Sequence, residues 1–308
     1  MKILIICSNL IGDNVLSTGV FSHLKKKYPN AKFTFIIGPS AKPLLKNFPN
    51  LDKIISIKKK KYSLHWVNIF KETINEKWDI VIDLRSSLLS FFLKKRKKLI
   101  FKKKPKRHHV TQLNLSFGFD CSNLNVFTNG EENNEAKKNL NCNKNKYIVI
   151  SPGGNWKPKI WQVENYNKLI LLLHKNNKTF KFILVGSKLE KEIYFNSITK
   201  NISKEYIVDL FGRSLTSTAA YFKKSYFFIG NDSGLMHLSV ASHLKTIGLF
   251  GPTNDKIYGP IGKNCFVVRT EESYDYFKQS IQDTKRSYMD TINVKKVMNL
   301  IQNNDLLK

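Results

Sequence analysis

A carboxylate, Asp13, follows the first apolar run of the chain, in the sequence S-N-L-I-G-D-N. It lies between a predicted strand and a predicted helix, where it is well placed to take a proton from an incoming hydroxyl group. Gly12 lets the backbone turn tightly and lets a substrate approach, so we expect Gly12 and Asn9 on the side of the hydroxyl-bearing acceptor. An ordinary helix N-cap is the alternative interpretation of Asp13.

Two loops in the second half of the chain suit a phosphate group. The first, G-N-D-S-G-L-M-H at 230–237, combines a strand end, a turn and the start of a helix. Asp232 or Ser233 can cap this helix, which leaves the backbone N–H groups of Ser233 and Gly234 facing an anion. A plain capped helix is the alternative interpretation of this segment.

The second loop is P-G-G-N-W-K-P-K-I-W at 152–161. Gly153 and Gly154 allow close backbone approach, and Lys157 or Lys159 can neutralise phosphate charge. The two loops together predict that a diphosphate donor binds the second half of the chain, while the base comes from the first half.

Apolar periodicity predicts alternating strands and helices, twice over. Such alternation favours an α/β fold of two Rossmann-like domains, whose parallel sheets face across a central cleft. We expect an N-terminal, acceptor-side domain over 1–146, which includes a linker at about 120–146, and a C-terminal donor domain over 147–308. The last helix, about 291–302, is a candidate to pack back on the N-terminal domain.

The charge is high and unevenly distributed. The 308 residues include 52 Lys and Arg against 23 Asp and Glu, a net charge of +29. Residues 53–109 hold 18 basic and 4 acidic side chains, or +14. A field this positive attracts nucleic acid, anionic lipid or a phosphorylated glycolipid. A lysine-rich composition is the alternative explanation, although it accounts less well for the clustering.

The sequence argues against several classes of protein. No G-x-G-x-x-G follows the first strand and no G-x-x-x-x-G-K-[ST] occurs, which argues against dinucleotide oxidoreductases and P-loop NTPases. The histidines lack metal-ligand spacing, so we expect no metal and no cofactor, and we expect His108 and His109 to be surface charge. The four cysteines are scattered, which favours a reducing cytoplasm. No apolar run approaches the roughly 20 residues that span a bilayer.

Four segments in order resemble glycosyltransferase family 9, the lipopolysaccharide heptosyltransferases. They are the opening G-D-x-hydrophobic stretch, the K-x-W segment, the D-[ST]-G-x-x-H block and the F/Y-G-P-T-[DN] block, at 11–31, 151–166, 230–241 and 250–260. Each motif is weak alone, but four in register over nearly the whole chain are specific.

This resemblance implies roles residue by residue. Asp13 falls on the catalytic base of the family, and Lys159 falls on the lysine that contacts the donor diphosphate. Glu190 matches the acid that holds the ribose hydroxyls, and Arg213 falls where the family's chain passes the nucleobase. The remaining residues expected on the donor side are Gly154, Asn155, Asp232, Ser233, Gly234 and His237.

The resemblance also implies a GT-B fold and an inverting, metal-independent transfer of a sugar. The favoured donor is ADP-heptose, which gives a heptose, and the acceptor is lipopolysaccharide core or a related anionic glycolipid. We expect a monomer in the cytoplasm, held at the inner face of the cytoplasmic membrane by anionic lipid. The alternatives are a GT-B transferase with another nucleotide-sugar and acceptor, or a non-catalytic basic relative at a membrane surface or on nucleic acid. Nucleic acid is not expected as a partner, because the chain has no RNP, KH or zinc pattern. Asn14 departs from the apolar residue expected there, and 94–109 has no counterpart in the family.

Overall fold

The computed structural model describes residues 1–57, 64–104, 106–281 and 283–307. The chain divides into two compact units, Met1–Phe127 and Thr128–Lys308. Four lysines of the basic stretch 53–109 fall at 58–61, outside the described residues.

The first unit contains one parallel sheet. Its strands are β1 Lys2–Ile6, β2 Lys32–Ile37, β3 Leu51–Ser56, β4 Trp78–Asp83 and β5 Lys95–Ile100. They are ordered β3-β2-β1-β4-β5, so β1 lies at the centre and β5 at one edge. The α-helices in the described part of this unit are α1 Ile11–Leu16, α2 Thr18–Lys27, α3 His65–Thr73, α4 Leu89–Phe92 and α5 His109–Phe117.

The second unit contains a parallel sheet of six strands. These are β6 Lys146–Ser151, β7 Phe180–Leu184, β8 Ile207–Asp209, β9 Phe227–Asn231, β10 Lys245–Phe250 and β11 Cys265–Arg269, in the order β11-β10-β9-β6-β7-β8. The α-helices described here are α6 Gly130–Asn139, α7 Val163–Asn176, α8 Lys188–Ile198, α9 Leu215–Phe222, α10 Gly234–Ala241, α11 Asp255–Tyr258, α12 Tyr274–Ser280 and α13 Val294–Asn303.

The central strands are apolar on both faces, as expected when helices cover both sides of a parallel sheet. All four apolar residues of β1, from Ile3 to Ile6, are fully buried. In the second unit Trp161 and Tyr166 join the strand side chains in one core, and their rings meet edge to face with centroids 4.8 Å apart. The prediction of two α/β units with parallel sheets is therefore confirmed.

The interpretation of 120–146 as a linker is wrong for its central part. Helix α6 occupies it and packs on α9 within the second unit, so the division falls after Phe127 rather than after residue 146. The helix is capped reciprocally by Asn129 and Glu132, and Thr216 donates a hydrogen bond of 2.7 Å to the buried Glu132 carboxylate. Such a helix is stabilised by capping and a buried polar contact more than by an apolar face, which is why apolar periodicity does not reveal it.

Two other boundaries differ from the sequence prediction. The helix predicted to follow Asp13 begins before it, at Ile11, and divides at Ser17, whose hydroxyl donates to the Asp13 carbonyl at 2.8 Å. Helix α13, near the predicted 291–302, packs against α7 and β11 within the second unit.

Candidate active site

Asp13 occupies the turn that follows the central strand of the first sheet. It is the third residue of α1, whose N-cap is Leu10, so the N-cap interpretation of Asp13 is wrong. The Ser8 hydroxyl donates a hydrogen bond of 2.8 Å to Asp13 Oδ2 and accepts one of 3.2 Å from the Leu10 amide. The half-buried carboxylate is thus held in one orientation by its own turn.

The buried side chain of Asn14 also holds the backbone of this turn. Its Nδ2 atom donates to the carbonyl oxygens of Ser8 at 2.9 Å and Leu10 at 2.7 Å. An apolar residue at this position would leave both carbonyls without these donors. The polar side chain at position 14 therefore fixes the backbone that carries Ser8 and Asn9.

Arg85 lies beside this turn, a residue that the sequence interpretation missed. Its Nη1 atom donates to Asn9 Oδ1 at 2.9 Å, and its guanidinium carbon lies 5.3 Å from the ring centre of Trp66. The buried Asp83 carboxylate accepts hydrogen bonds from the amides of Arg85 at 2.9 Å and Ser87 at 2.8 Å. Because β4 neighbours β1 in parallel, the segments that follow both strands meet at one edge of the sheet.

His109 also lies near Asp13. The interpretation of His109 as surface charge is wrong. Its imidazole is half-buried against the Phe101 ring, with centroids 5.3 Å apart. Burial lowers the pKa of His109, the negative charge of Asp13 opposes that shift, and His108 and Lys103 add to it. His108 caps α5 by accepting a hydrogen bond of 3.3 Å from the Val110 amide. The two histidines thus have separate structural contacts.

In the second unit, buried Asn231 joins two of the loops. Its Oδ1 atom accepts hydrogen bonds from the Trp161 amide at 3.0 Å and the Tyr166 hydroxyl at 3.1 Å. Its Nδ2 atom donates to the carbonyl oxygens of Pro152 at 2.7 Å and Gly153 at 3.1 Å. One side chain therefore connects the end of β9 to the loop after β6.

Two predicted donor-side residues meet across these loops. Lys159 Nζ lies 3.5 Å from Asp232 Oδ2, and the side chains are only 12% and 10% exposed. Ser233, rather than Asp232, caps α10, by accepting a hydrogen bond of 3.4 Å from the Met236 amide. Gly234 begins this helix, and the buried His237 lies one turn further along.

Glu190 packs against the same loop from the other side. It completes a capping box at the start of α8, where its Oε2 atom accepts a hydrogen bond of 2.6 Å from the Ser187 amide. A side chain at Gly153 would overlap the Glu190 carboxylate, and a Cβ atom at Gly186 would come 2.9 Å from Glu190 Oε2. Glycine at both positions is what allows this close approach.

The other predicted residues of the second unit differ in their surroundings. Gly154 follows Gly153 toward Lys159, and Asn155 is exposed at the tip of the loop. Arg213 forms an ion pair of 3.0 Å with Glu135 of α6. One set of loops thus carries Glu190, Lys159 and Asp232. Arg213 instead contacts helix α6 of the same unit.

The F-G-P-T-N loop after β10 is held by Arg269, another residue missed by sequence reasoning. The guanidinium donates to the carbonyl oxygens of Gly251 and Thr253 at 2.7 and 2.8 Å, and it pairs with Asp255 at 2.7 Å. Strands β10, β9, β6 and β7 are neighbours in the sheet, so the loops after all four lie along its carboxyl edge. Ligands of open α/β sheets bind at this edge.

The described residues hold neither a cluster of metal ligands nor a membrane-spanning helix. No three His, Cys, Asp or Glu side chains within 1–57, 64–104, 106–281 and 283–307 come together as metal ligands would. In the same part of the chain no helix has the length and apolar character needed to cross a membrane.

Two parallel-sheet α/β units are the architecture of the GT-B fold, which solved glycosyltransferases share with this chain at TM-scores of 0.73 to 0.77. The sequence model of a family described as glycosyltransferase family 9 (heptosyltransferase) matches residues 105–289. The chain therefore belongs to glycosyltransferase family 9, and it is a glycosyltransferase. The predictions of family, fold and enzyme class are confirmed.

Individual relatives are similar to this chain over most of their length. Lipooligosaccharide heptosyltransferase 2 of Haemophilus ducreyi is 23% identical over 311 residues, which cover 87% of this chain and 88% of the relative. A glycosyl transferase family 9 structure from Veillonella parvula has a TM-score of 0.77 and 20% identity, covering 100% of this chain and 97% of its own. The E. coli heptosyltransferase WaaC with ADP has a TM-score of 0.75 and 17% identity, covering 99% and 100%.

Proposed function

We propose that this enzyme transfers a heptose from ADP-heptose onto the lipopolysaccharide core or a related anionic lipid-linked glycan, with inversion at the anomeric carbon and without a metal ion. The observation that carries the proposal is the Asp13 carboxylate, oriented by Ser8 directly after the central strand of a family 9 chain. The relative solved with ADP supports the choice of nucleotide.

In this proposal Asp13 is the general base. It removes the proton of the acceptor hydroxyl while that oxygen forms a bond to the anomeric carbon. The bond from the anomeric carbon to the diphosphate oxygen breaks at the same time, and ADP leaves with the electron pair. Attack from the face opposite the leaving group inverts the configuration. The Ser8 hydroxyl keeps one carboxylate oxygen engaged, so Oδ1 is the atom available to the proton.

The donor-side roles follow from charge and position. Lys159 neutralises the leaving diphosphate, together with the backbone N–H groups of Ser233 and Gly234 at the start of α10. Asp232 holds the lysine in place through their ion pair. Glu190 accepts hydrogen bonds from the ribose hydroxyls. The remaining proposed contacts with the nucleotide-sugar come from Gly154, Asn155, Arg213 and His237.

On the acceptor side we assign Asn9, Gly12 and Arg85. The guanidinium of Arg85 is held by Asn9 and by the face of Trp66, so it is preorganised to receive a carboxylate or phosphate of the acceptor. We propose that the acceptor is lipid-linked, and that the enzyme is a monomer in the cytoplasm at the inner face of the cytoplasmic membrane.

A donor screen tests the proposal. The purified enzyme is incubated with lipopolysaccharide core acceptor and, in separate reactions, ADP-heptose, UDP-sugars or GDP-sugars. Each reaction is run with and without EDTA, and released nucleotide diphosphate is measured. We expect release from ADP-heptose only, with EDTA having no effect. Turnover with a UDP- or GDP-sugar instead would assign the other nucleotide-sugar, and no turnover with any donor would favour a non-catalytic relative.

A further inference from the structure

Helix α4 and the residue before it present large apolar side chains to solvent. Leu88 is 77% exposed, Phe91 is 56% exposed and Phe92 is 65% exposed. Their neighbours in the same turn, Leu89 and Leu93, are buried in the core of the first unit. The turn therefore anchors one side in the core and offers the other, apolar side outward, which a soluble surface seldom does without a partner.

The basic edge strand β5 is attached to this apolar turn. Lys95 Nζ donates hydrogen bonds of 3.0 and 2.9 Å to the carbonyl oxygens of Phe91 and Leu93, which satisfies the end of α4. Lys98 Nζ lies 3.3 Å from the ring centre of Phe91. Lys94 and Lys97, in the same segment of the chain, are exposed. Cations and exposed rings thus form one surface, which we call the α4–β5 surface (residues 88–98).

The apolar character continues onto the neighbouring helix. The rings of Phe70 and Phe92 meet edge to face with centroids 6.5 Å apart, so α3 lies against α4. Val67, one turn before Phe70 on α3, is exposed as well. Lysines on an edge strand also discourage pairing with another sheet, but that purpose does not require exposed phenylalanines beside them.

We propose that the α4–β5 surface docks on an anionic lipid bilayer, with Leu88, Phe91 and Phe92 inserted among the headgroups and the β5 lysines on the lipid phosphates. Charge complementarity selects this occupant: a basic rim around an apolar tip matches an interface of acyl chains below negative headgroups. The inference deepens the proposed membrane association, because it adds an apolar contribution that salt does not screen.

The test compares four proteins by co-sedimentation with vesicles of phosphatidylcholine alone or with 30% phosphatidylglycerol, from low to high salt. They are the wild type, the variant Phe91→Ser/Phe92→Ser, the variant Lys94→Glu/Lys97→Glu, and the control Leu172→Ser/Ile193→Ser, which removes exposed apolar side chains of the second unit. Circular dichroism melting checks that each is folded, and ADP affinity checks the donor site independently.

We expect the phenylalanine variant to partition onto anionic vesicles about 100-fold more weakly, about tenfold for each ring withdrawn from lipid. The lysine variant loses binding chiefly at low salt, and the control binds like the wild type. Equal binding of the wild type and the phenylalanine variant would overturn insertion while leaving electrostatic membrane association intact. Wild-type protein that binds no vesicles would overturn both. If the wild type is a dimer and the phenylalanine variant is a monomer, a second copy of the chain covers the surface instead.

Discussion

Lys159 Nζ and Asp232 Oδ2 lie 3.5 Å apart, although the two residues come from loops that follow different strands of the second sheet. Both side chains are nearly buried, where a cation without a partner is costly. The ion pair therefore fixes the lysine at the carboxyl edge of the sheet before any substrate binds. If Lys159 binds the donor diphosphate as we propose, the diphosphate meets a cation that is already in position, which reduces the ordering cost of binding.

The first prediction concerns donor affinity. Lys159→Ala and Glu190→Gln should each weaken ADP binding by about 10- to 100-fold, the range for losing a hydrogen bond to a charged group. Glutamine at 190 preserves the capping box of α8, so that variant tests the charge rather than the helix. Isothermal calorimetry with ADP measures the effect. Lys157→Ala, in the same loop but exposed, is the control. If Lys157→Ala weakens binding as much as Lys159→Ala, the diphosphate site is wrongly assigned.

The second prediction concerns Asn231. Asn231→Leu removes the four side-chain hydrogen bonds described above and leaves buried partners unsatisfied, so the free energy of unfolding should fall by at least about 3 kcal/mol. Urea denaturation measures this loss. Asn299→Leu, on the exposed side of α13, should change stability by less than about 0.5 kcal/mol. A loss at Asn231 no larger than that of the control would show that the asparagine does not organise these loops.

The third prediction concerns the proton equilibrium of His109. Its pKa lies below the ordinary 6.5, so the unfolded chain binds the proton more readily than the folded one. The stability that neutral His109 contributes is present above about pH 6.5 and is lost as the pH falls through the folded pKa. Because the Asp13 charge raises this pKa, Asp13→Asn should lower it further. Proton NMR titration, with His109→Gln for assignment, measures both values. A His109 pKa that is the same in the two proteins would contradict the coupling.

The fourth prediction separates acceptor from donor. Arg85→Met keeps an unbranched side chain but removes the guanidinium that lies over Trp66, so KM for the anionic acceptor should rise about tenfold or more while KM for the donor stays unchanged. Steady-state kinetics with each substrate varied provides the measurement. Arg107→Met is the control, since Arg107 is exposed. An Arg85→Met enzyme with normal acceptor KM would remove Arg85 from the acceptor site.

The sequence predicted those parts of the molecule that depend on local pattern. The alternation of strands and helices followed from apolar runs such as Lys245–Phe250, because a short apolar run between polar turns is typical of a buried strand. The turn that carries Asp13 could also be located, since it follows the first strand directly. Helix α6 was missed because its only buried residues are Glu132 and Ala136, which give no apolar periodicity.

Contacts between distant segments could not be predicted in the same way. Arg85 contacts Asn9 across 76 positions, and that contact depends on β4 being the neighbour of β1. Asn231 reaches Pro152, 79 positions earlier, for the corresponding reason in the other sheet. Strand order decides which loops share an edge, and periodicity alone does not fix strand order.

The central claim is that Asp13 is the base, and turnover of Asp13→Asn tests it most directly. The variant should fold normally and bind ADP with wild-type affinity, because Asn keeps the shape of the side chain and the donor residues belong to the other unit. With saturating ADP-heptose and acceptor, its kcat should fall by roughly two to four orders of magnitude, the usual contribution of general-base catalysis. A folded Asp13→Asn enzyme with near wild-type kcat would contradict the account.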